Sequence, residues 1–232
     1  MKALIEKLGS RRIIWLCVMF LILQIAVVAI IMLLGGSSKR EMKEYTLLAQ
    51  EVHSNPQSFV DFDMLTAQNE DTAAWLLSEG TGIDYPVVQS EDSENYRSHS
   101  FSGKRNRLGC LYIDSSCAAD MSGRNTVIYG GALLAPLYNY SSQDYYELIP
   151  YVTLYTPYGE HIISLIAGFY TEDTDSFVQT DFASDDEFTA YISKLRGSSC
   201  FASSVSTDAD TRLVTLCAED RNGAFVLVGV LT

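Results

Sequence analysis

Positive charge is scarce over most of this sequence. The chain carries 16 Lys/Arg against 29 Asp/Glu, and residues 1–43 hold seven of the former but only two of the latter, so the remainder is more acidic than the overall −13. So acidic a domain is excluded as a nucleic-acid binder, because it repels a phosphate backbone; its acidity bears on solubility more than on function. Zinc-type cysteine spacing is missing among Cys110, Cys117, Cys200 and Cys217. The acidic runs Glu91-Asp92 and Asp185-Asp186-Glu187 lack the calcium-loop pattern and read as surface, so no metal or cofactor is indicated. There is no internal repeat and no low-complexity stretch, and 47% hydrophobic content over 232 residues supplies a core, which excludes a disordered chain.

What the sequence does have, first, is one long apolar run. Residues 13–34 are uncharged and include Cys17. At roughly 1.5 Å per helical residue this run crosses a hydrocarbon layer of roughly 30 Å. It exceeds the roughly 7 to 15 apolar residues of a cleaved signal peptide, for which residues 35–38 offer only a weak cleavage site. Lys2, Lys7, Arg11 and Arg12 precede it with only Glu6 opposing them, which predicts a cytoplasmic N-terminus and an extracellular remainder. The expected organisation is a cytoplasmic tail (1–12), a single-pass anchor in the cell membrane (13–34), a juxtamembrane stalk with helices (35–70) and a β domain (71–232). Four cysteines outside the run can pair in three ways, and an extracellular position permits disulfides without requiring one.

Beyond the stalk, short β-branched and aromatic runs recur at 74–77, 85–88, 109–113, 126–129, 151–155, 161–170, 212–217 and 224–231. Turn signals such as Gly80-Thr81-Gly82, Pro157-Tyr158-Gly159 and Arg221-Asn222-Gly223 separate them. Many short strands with turns predict a barrel or a sandwich. Two stretches break the pattern, 141–149 and 185–195. In the second, Phe188, Ile192 and Leu195 stand at helical spacing behind an acidic first turn.

Several words in this region are specific together: WLLSEGTGIDYPVVQ at 75–89, NYRSHSFSGKRNRLGCLYID at 95–114, NTVIYG at 125–130, TDFASDDEFTAYISKL at 180–195 and RLVTL at 212–216. Through them residues 75–231 resemble the class B sortases, membrane-anchored cysteine transpeptidases of Gram-positive cell envelopes. The resemblance implies a mainly β fold, an eight-stranded barrel with peripheral helices. It also implies cleavage of a C-terminal sorting signal through an acyl-enzyme that an amine from peptidoglycan or a pilin subunit resolves. A Cys, a His and an Arg carry that chemistry, as nucleophile, proton donor and oxyanion partner.

Each of those places is filled otherwise here. Gly131 follows NTVIYG where the family has His. Ala224 begins the last apolar run where the family has Arg; Arg221 is nearby but lies in the Arg-Asn-Gly turn. Glu219 occupies the nucleophile's place in an ungapped alignment, whereas a two-residue deletion puts Cys217 there. Residues 217 and 219 point to one face of a strand, roughly 6.6 Å apart, with Cys217 the deeper. Cys217 without a neighbouring His reads as a small buried hydrophobe, and Glu219 without a mapped partner as a solvated strand end. His53, His99 and His161 fall on no motif. Tyr138, Tyr140, Tyr145 and Tyr146 are either packing aromatics or a recognition surface.

Three functions are therefore carried forward. One is a pseudo-sortase that keeps the groove and binds sorting-signal peptides, pilin subunits or a true sortase. The second is a divergent transpeptidase acting through Cys217 with Arg221, and the third a structural envelope module.

Overall fold

The computed structural model describes residues 15, 18–27, 39–55, 58–118, 120–174, 177–220 and 223–232. The expected tail (1–12) lies outside the described residues, as do 13, 14, 16, 17 and 28–34 of the expected anchor and Arg221. Among the described residues no helix is long and apolar enough to cross a membrane. The chain divides into two compact units, Met1–Glu44 and Tyr45–Thr232. In the first, residues 18–27 are helical and expose Met19, Phe20 and Leu23.

In the second unit each of the eight apolar runs forms a strand: β1 (Thr72–Ser78), β2 (Ile83–Val88), β3 (Leu111–Ile113), β4 (Asn125–Tyr129), β5 (Tyr151–Thr156), β6 (Gly159–Thr171), β7 (Leu213–Asp220) and β8 (Gly223–Leu231). They close in the order β1-β2-β3-β4-β7-β8-β6-β5, with Leu76 of β1 opposite Leu154 of β5. That pairing decides for a barrel over a sandwich. Pairs joined by short turns are antiparallel, whereas β2–β3 and β4–β7 are parallel. Parallel neighbours need long connections, and those connections carry the irregular segments that build the groove. Leu154, Leu165, Val127, Leu216 and Val226 have no exposed surface, each contributing about 2 kcal/mol of burial.

The parallel seam between β4 and β7 is pinned by a buried polar cluster. Thr215 Oγ1 donates to Asn125 Oδ1 at 2.8 Å, and Asn125 Nδ2 donates to the Gln179 carbonyl at 2.8 Å. Asn125 is thus fixed from both ends, in register with Leu213 across the seam.

The helix Asp185–Ser198 forms where its periodicity predicts. Phe188, Tyr191, Ile192 and Leu195 are its buried face, and the Ser184 side chain caps it by accepting from the Glu187 amide. The other predicted break contains the helix Gln143–Leu148, preceded by an unforeseen 3-10 helix, Gly131–Ser141.

Residues 45–70, expected within a spacer, instead belong to the barrel's compact unit. The helix through residues 39–52 buries Tyr45, Leu48, Ala49 and Val52, an i, i+3, i+4, i+7 stripe that the surrounding charges obscure in the sequence. Tyr45 stands edge-on to Tyr85 and its hydroxyl donates to the Gly109 carbonyl. A second helix, Phe62–Gln68, is capped by Asp61, which accepts from the Met64 amide.

Asn125→Ala leaves the buried Thr215 hydroxyl and the half-buried Gln179 carbonyl without this partner. Urea denaturation is expected to show a loss of about 2 to 3 kcal/mol in stability; an unchanged midpoint would mean that the cluster does not hold the seam.

Candidate active site

The site lies where β4 and β7 end side by side. Tyr129, the last residue of β4, is level with Cys217 of β7, and the next amide, Gly130, donates to the Cys217 carbonyl at 3.2 Å. Gly131 then turns the chain into the 3-10 helix with φ +43°, a left-handed conformation that favours glycine. A Cβ built there meets nothing nearer than the Glu219 carbonyl oxygen at 3.7 Å. Across the β7–β8 ladder Glu219 stands opposite Ala224. The three positions singled out by the resemblance thus converge on one end of the barrel, at the ends of three different elements.

A groove of about 530 Å³ opens there. Gly131 and Glu219 line it together with Arg97, Arg107, Tyr112, Tyr129 and Tyr138. The connection between β2 and β3 contributes the arginines. Arg97 closes the 3-10 helix Ser93–Arg97 and its Nη2 donates to Glu219 Oε2 at 2.8 Å; its Nε donates to the Tyr112 hydroxyl at 3.4 Å. The Tyr112 hydroxyl foremost, then Glu219 and Glu94, hold this guanidinium firmly charged against the effect of its burial. An arginine therefore does enter the site, but from before β3 rather than from β8. The Arg97 side chain is 62% exposed and that of Glu219 25%, so the pair is worth about 1 kcal/mol at most.

Tyr112 and Tyr129 stack with ring centroids 5.4 Å apart, and burial pushes both phenols up. Tyr138 donates to the Ala218 carbonyl at 3.2 Å. Of the four tyrosines grouped in the sequence it is the one that lines the groove. Tyr140 is fully buried against Tyr145, and Tyr146 stacks on Phe201 at 4.2 Å, so these pack.

Cys217 has no exposed surface. It shares a strand face with Glu219, yet two residues back along β7 is already inside the barrel wall. Burial pushes its thiol well above the usual range, with Glu219 and Asp114 adding to the shift. Cys110 lines the groove but is 1% exposed, its thiol aimed at the Pro86 carbonyl 3.7 Å away. Among the described residues Cys110, Cys117, Cys200 and Cys217 form no disulfide, and of these four Cys200 alone is exposed. No histidine lines the groove among the described residues. His53 lies between the Phe59 carbonyl and Asp84, and His99 beside the Asn95 carbonyl. His161 pairs in the β5–β6 ladder.

Sequence reasoning located Gly131, Glu219 and Ala224 but missed Arg97, Arg107, Tyr112 and Tyr129. All but Tyr129 sit in the word NYRSHSFSGKRNRLGCLYID, the available signal; only the fold brings that word against β7.

No family model matches the chain. Sortase B of Staphylococcus aureus is 25% identical over 216 residues, covering 84% of this chain and 87% of that protein. Sortase B of Listeria monocytogenes is 26% identical over 197 residues, covering 81% and 80%. This chain is similar to class B sortases over more than four fifths of its length. Among solved structures, the Staphylococcus aureus sortase B-substrate complex superposes with a TM-score of 0.75 at 24% identity, covering 84% of this chain and 97% of that one. The eight-stranded barrel with its peripheral helices thus matches the sortase fold.

A burial this complete makes a direct forecast for thiol chemistry. Iodoacetamide at neutral pH is expected to modify Cys200 and spare Cys217 in the folded protein, with Cys217 reacting once denaturant is added. Modification of folded Cys217 at the rate of Cys200 would overturn its placement in the wall.

Proposed function

We propose that this chain is a membrane-anchored, extracellular pseudo-sortase: it binds the sorting-signal segment of a secreted protein, a pilin subunit or a true sortase, and forms no thioester. One observation carries the reading. The groove is open and lined, while the positions that carry chemistry in the resemblance hold Gly131, Glu219 and Ala224. A glycine moves no proton, and a carboxylate already paired with Arg97 is a poor acyl acceptor. Ala224 is 3% exposed and offers an oxyanion nothing. The Staphylococcus aureus relative has been solved as a substrate complex, which supports a peptide as the ligand.

The second reading, a divergent transpeptidase acting through Cys217 and Arg221, asks a buried thiol with a raised pKa to serve as nucleophile. The third, a structural envelope module, needs no ligand in the groove. All three separate in one experiment. The full chain in detergent, with Cys217→Ala and Gly131→His beside it, is incubated with a library of sorting-signal peptides and an amine. Intact-mass spectrometry follows adducts, and fluorescence anisotropy follows binding. Binding without an adduct or cleaved peptide is expected from all three proteins; Gly131→His also loses about 1 kcal/mol of stability because φ there is positive. A thioester that disappears in Cys217→Ala would replace this reading with the second, and no binding at all would replace it with the third.

The anchor is proposed from residues 13–34 and the cationic residues before them. Membranes carrying the chain are expected to retain it through an alkaline carbonate wash and release it in detergent. Release by carbonate alone would remove the anchor from this proposal.

A further inference from the structure

The barrel's cations are unevenly placed. Residues 44–232 contain nine Lys/Arg, and four of them are Arg97, Lys104, Arg105 and Arg107. All four lie on the connection between β2 and β3 that forms one wall of the groove.

That wall is rigid. Residues 98–106 form a small hairpin, with His99 bridged to Arg105. The Ser100 amide donates to the Lys104 carbonyl at 2.7 Å and the Asn106 amide to the Ser98 carbonyl at 2.9 Å. Gly103 makes the turn with φ +75°. At the hairpin's foot the Cys110 amide donates to the Tyr96 carbonyl at 2.8 Å, and Gly109 approaches so closely that a Cβ would stand 2.7 Å from the Tyr96 oxygen. The cationic side chains are therefore mounted on a backbone tied by its own hydrogen bonds.

The charges on this wall are not alike. Arg97 is neutralised by Glu219. Lys104, Arg105 and Arg107 are exposed, and none has a carboxylate within ion-pair distance among the described residues. Arg107 also lines the groove. A cationic rim thus borders the groove of a protein whose net charge is −13. We propose that this rim is a docking surface for an acidic peptide: an extended segment in the groove whose Asp or Glu residues meet Arg107 and the hairpin cations. This rests on the peptide-binding reading above and adds the charge of the ligand. The small extent of the rim favours a short acidic segment over a long polyanion, which the acidic surroundings repel beyond about one Debye length, roughly 8 to 10 Å.

The test uses the full chain in nonionic detergent and three fluorescein-labelled peptides of equal length, alternating Ser with Glu, Gln or Lys. Anisotropy is expected to rank Glu above Gln above Lys, and salt to weaken the Glu peptide selectively. Arg107→Glu, and separately Lys104→Glu with Arg105→Glu, should each weaken the Glu peptide on the order of tenfold. Lys194→Glu, a charge reversal on the helix Asp185–Ser198, should leave it unchanged, and Glu219→Gln should strengthen it by freeing Arg97. Near-ultraviolet circular dichroism checks that each variant is folded. Equal binding of the Glu and Gln peptides, untouched by Arg107→Glu, would sink the acidic preference while leaving peptide binding intact. Binding of polyphosphate but of none of the peptides would sink both. Self-association in sedimentation that Arg107→Glu abolishes would identify a second copy as the occupant and overturn the peptide.

Discussion

β4 and β7 lie parallel, and no hairpin can fix the register of a parallel pair. The chain sets it with a ladder running from Asn125 opposite Leu213 to Tyr129 opposite Cys217, and with the interior contact between Asn125 and Thr215. Every part of the groove depends on that alignment. It decides that Gly130 meets the Cys217 carbonyl, that Gly131 begins its helix above the end of β7, and that Glu219 emerges just past the barrel wall. A slip of one residue reverses which side chains face the core, so the buried pair enforces the site as well as the seam.

The barrel and its chemistry rest on different residues. Stability comes from fully buried side chains such as Val127, Leu216 and Val226, whereas Gly131, Glu219 and Ala224 sit at element ends. Such positions can be exchanged at little cost to the core, which is how one fold hosts both reactive and unreactive sites. Glu219 is not idle: its ion pair with Arg97 joins the end of β7 to the connection before β3. A bond of this kind contributes little energy at the surface but fixes where a carboxylate and a guanidinium stand.

All eight strands were legible as β-branched and aromatic runs between turns, and the helix Asp185–Ser198 as the spacing of Phe188, Ile192 and Leu195. Closure of the barrel was not, because a local pattern carries no record of which strands pair, and β1 meets β5 some 80 residues on. The same limit hid Arg97, whose contact with Glu219 spans 122 positions. The 3-10 helix Gly131–Ser141 escaped because its glycine start and Pro136 read as loop. Alternation along the strand placed Cys217 and Glu219 on one face with Cys217 the deeper, and the barrel wall falls between them. The stalk was misread for the opposite reason: conspicuous charge concealed the apolar stripe Tyr45, Leu48, Ala49 and Val52.

The hydroxyl of Tyr45 reaches the wall of the groove. It bonds the carbonyl of Gly109, the residue at the foot of the cationic hairpin, while the ring rests against Tyr85 of β2. Tyr45 thus ties the helix through residues 39–52 to the foot of the hairpin and to β2 at once, so the segment that precedes the barrel is also a support of the groove's wall.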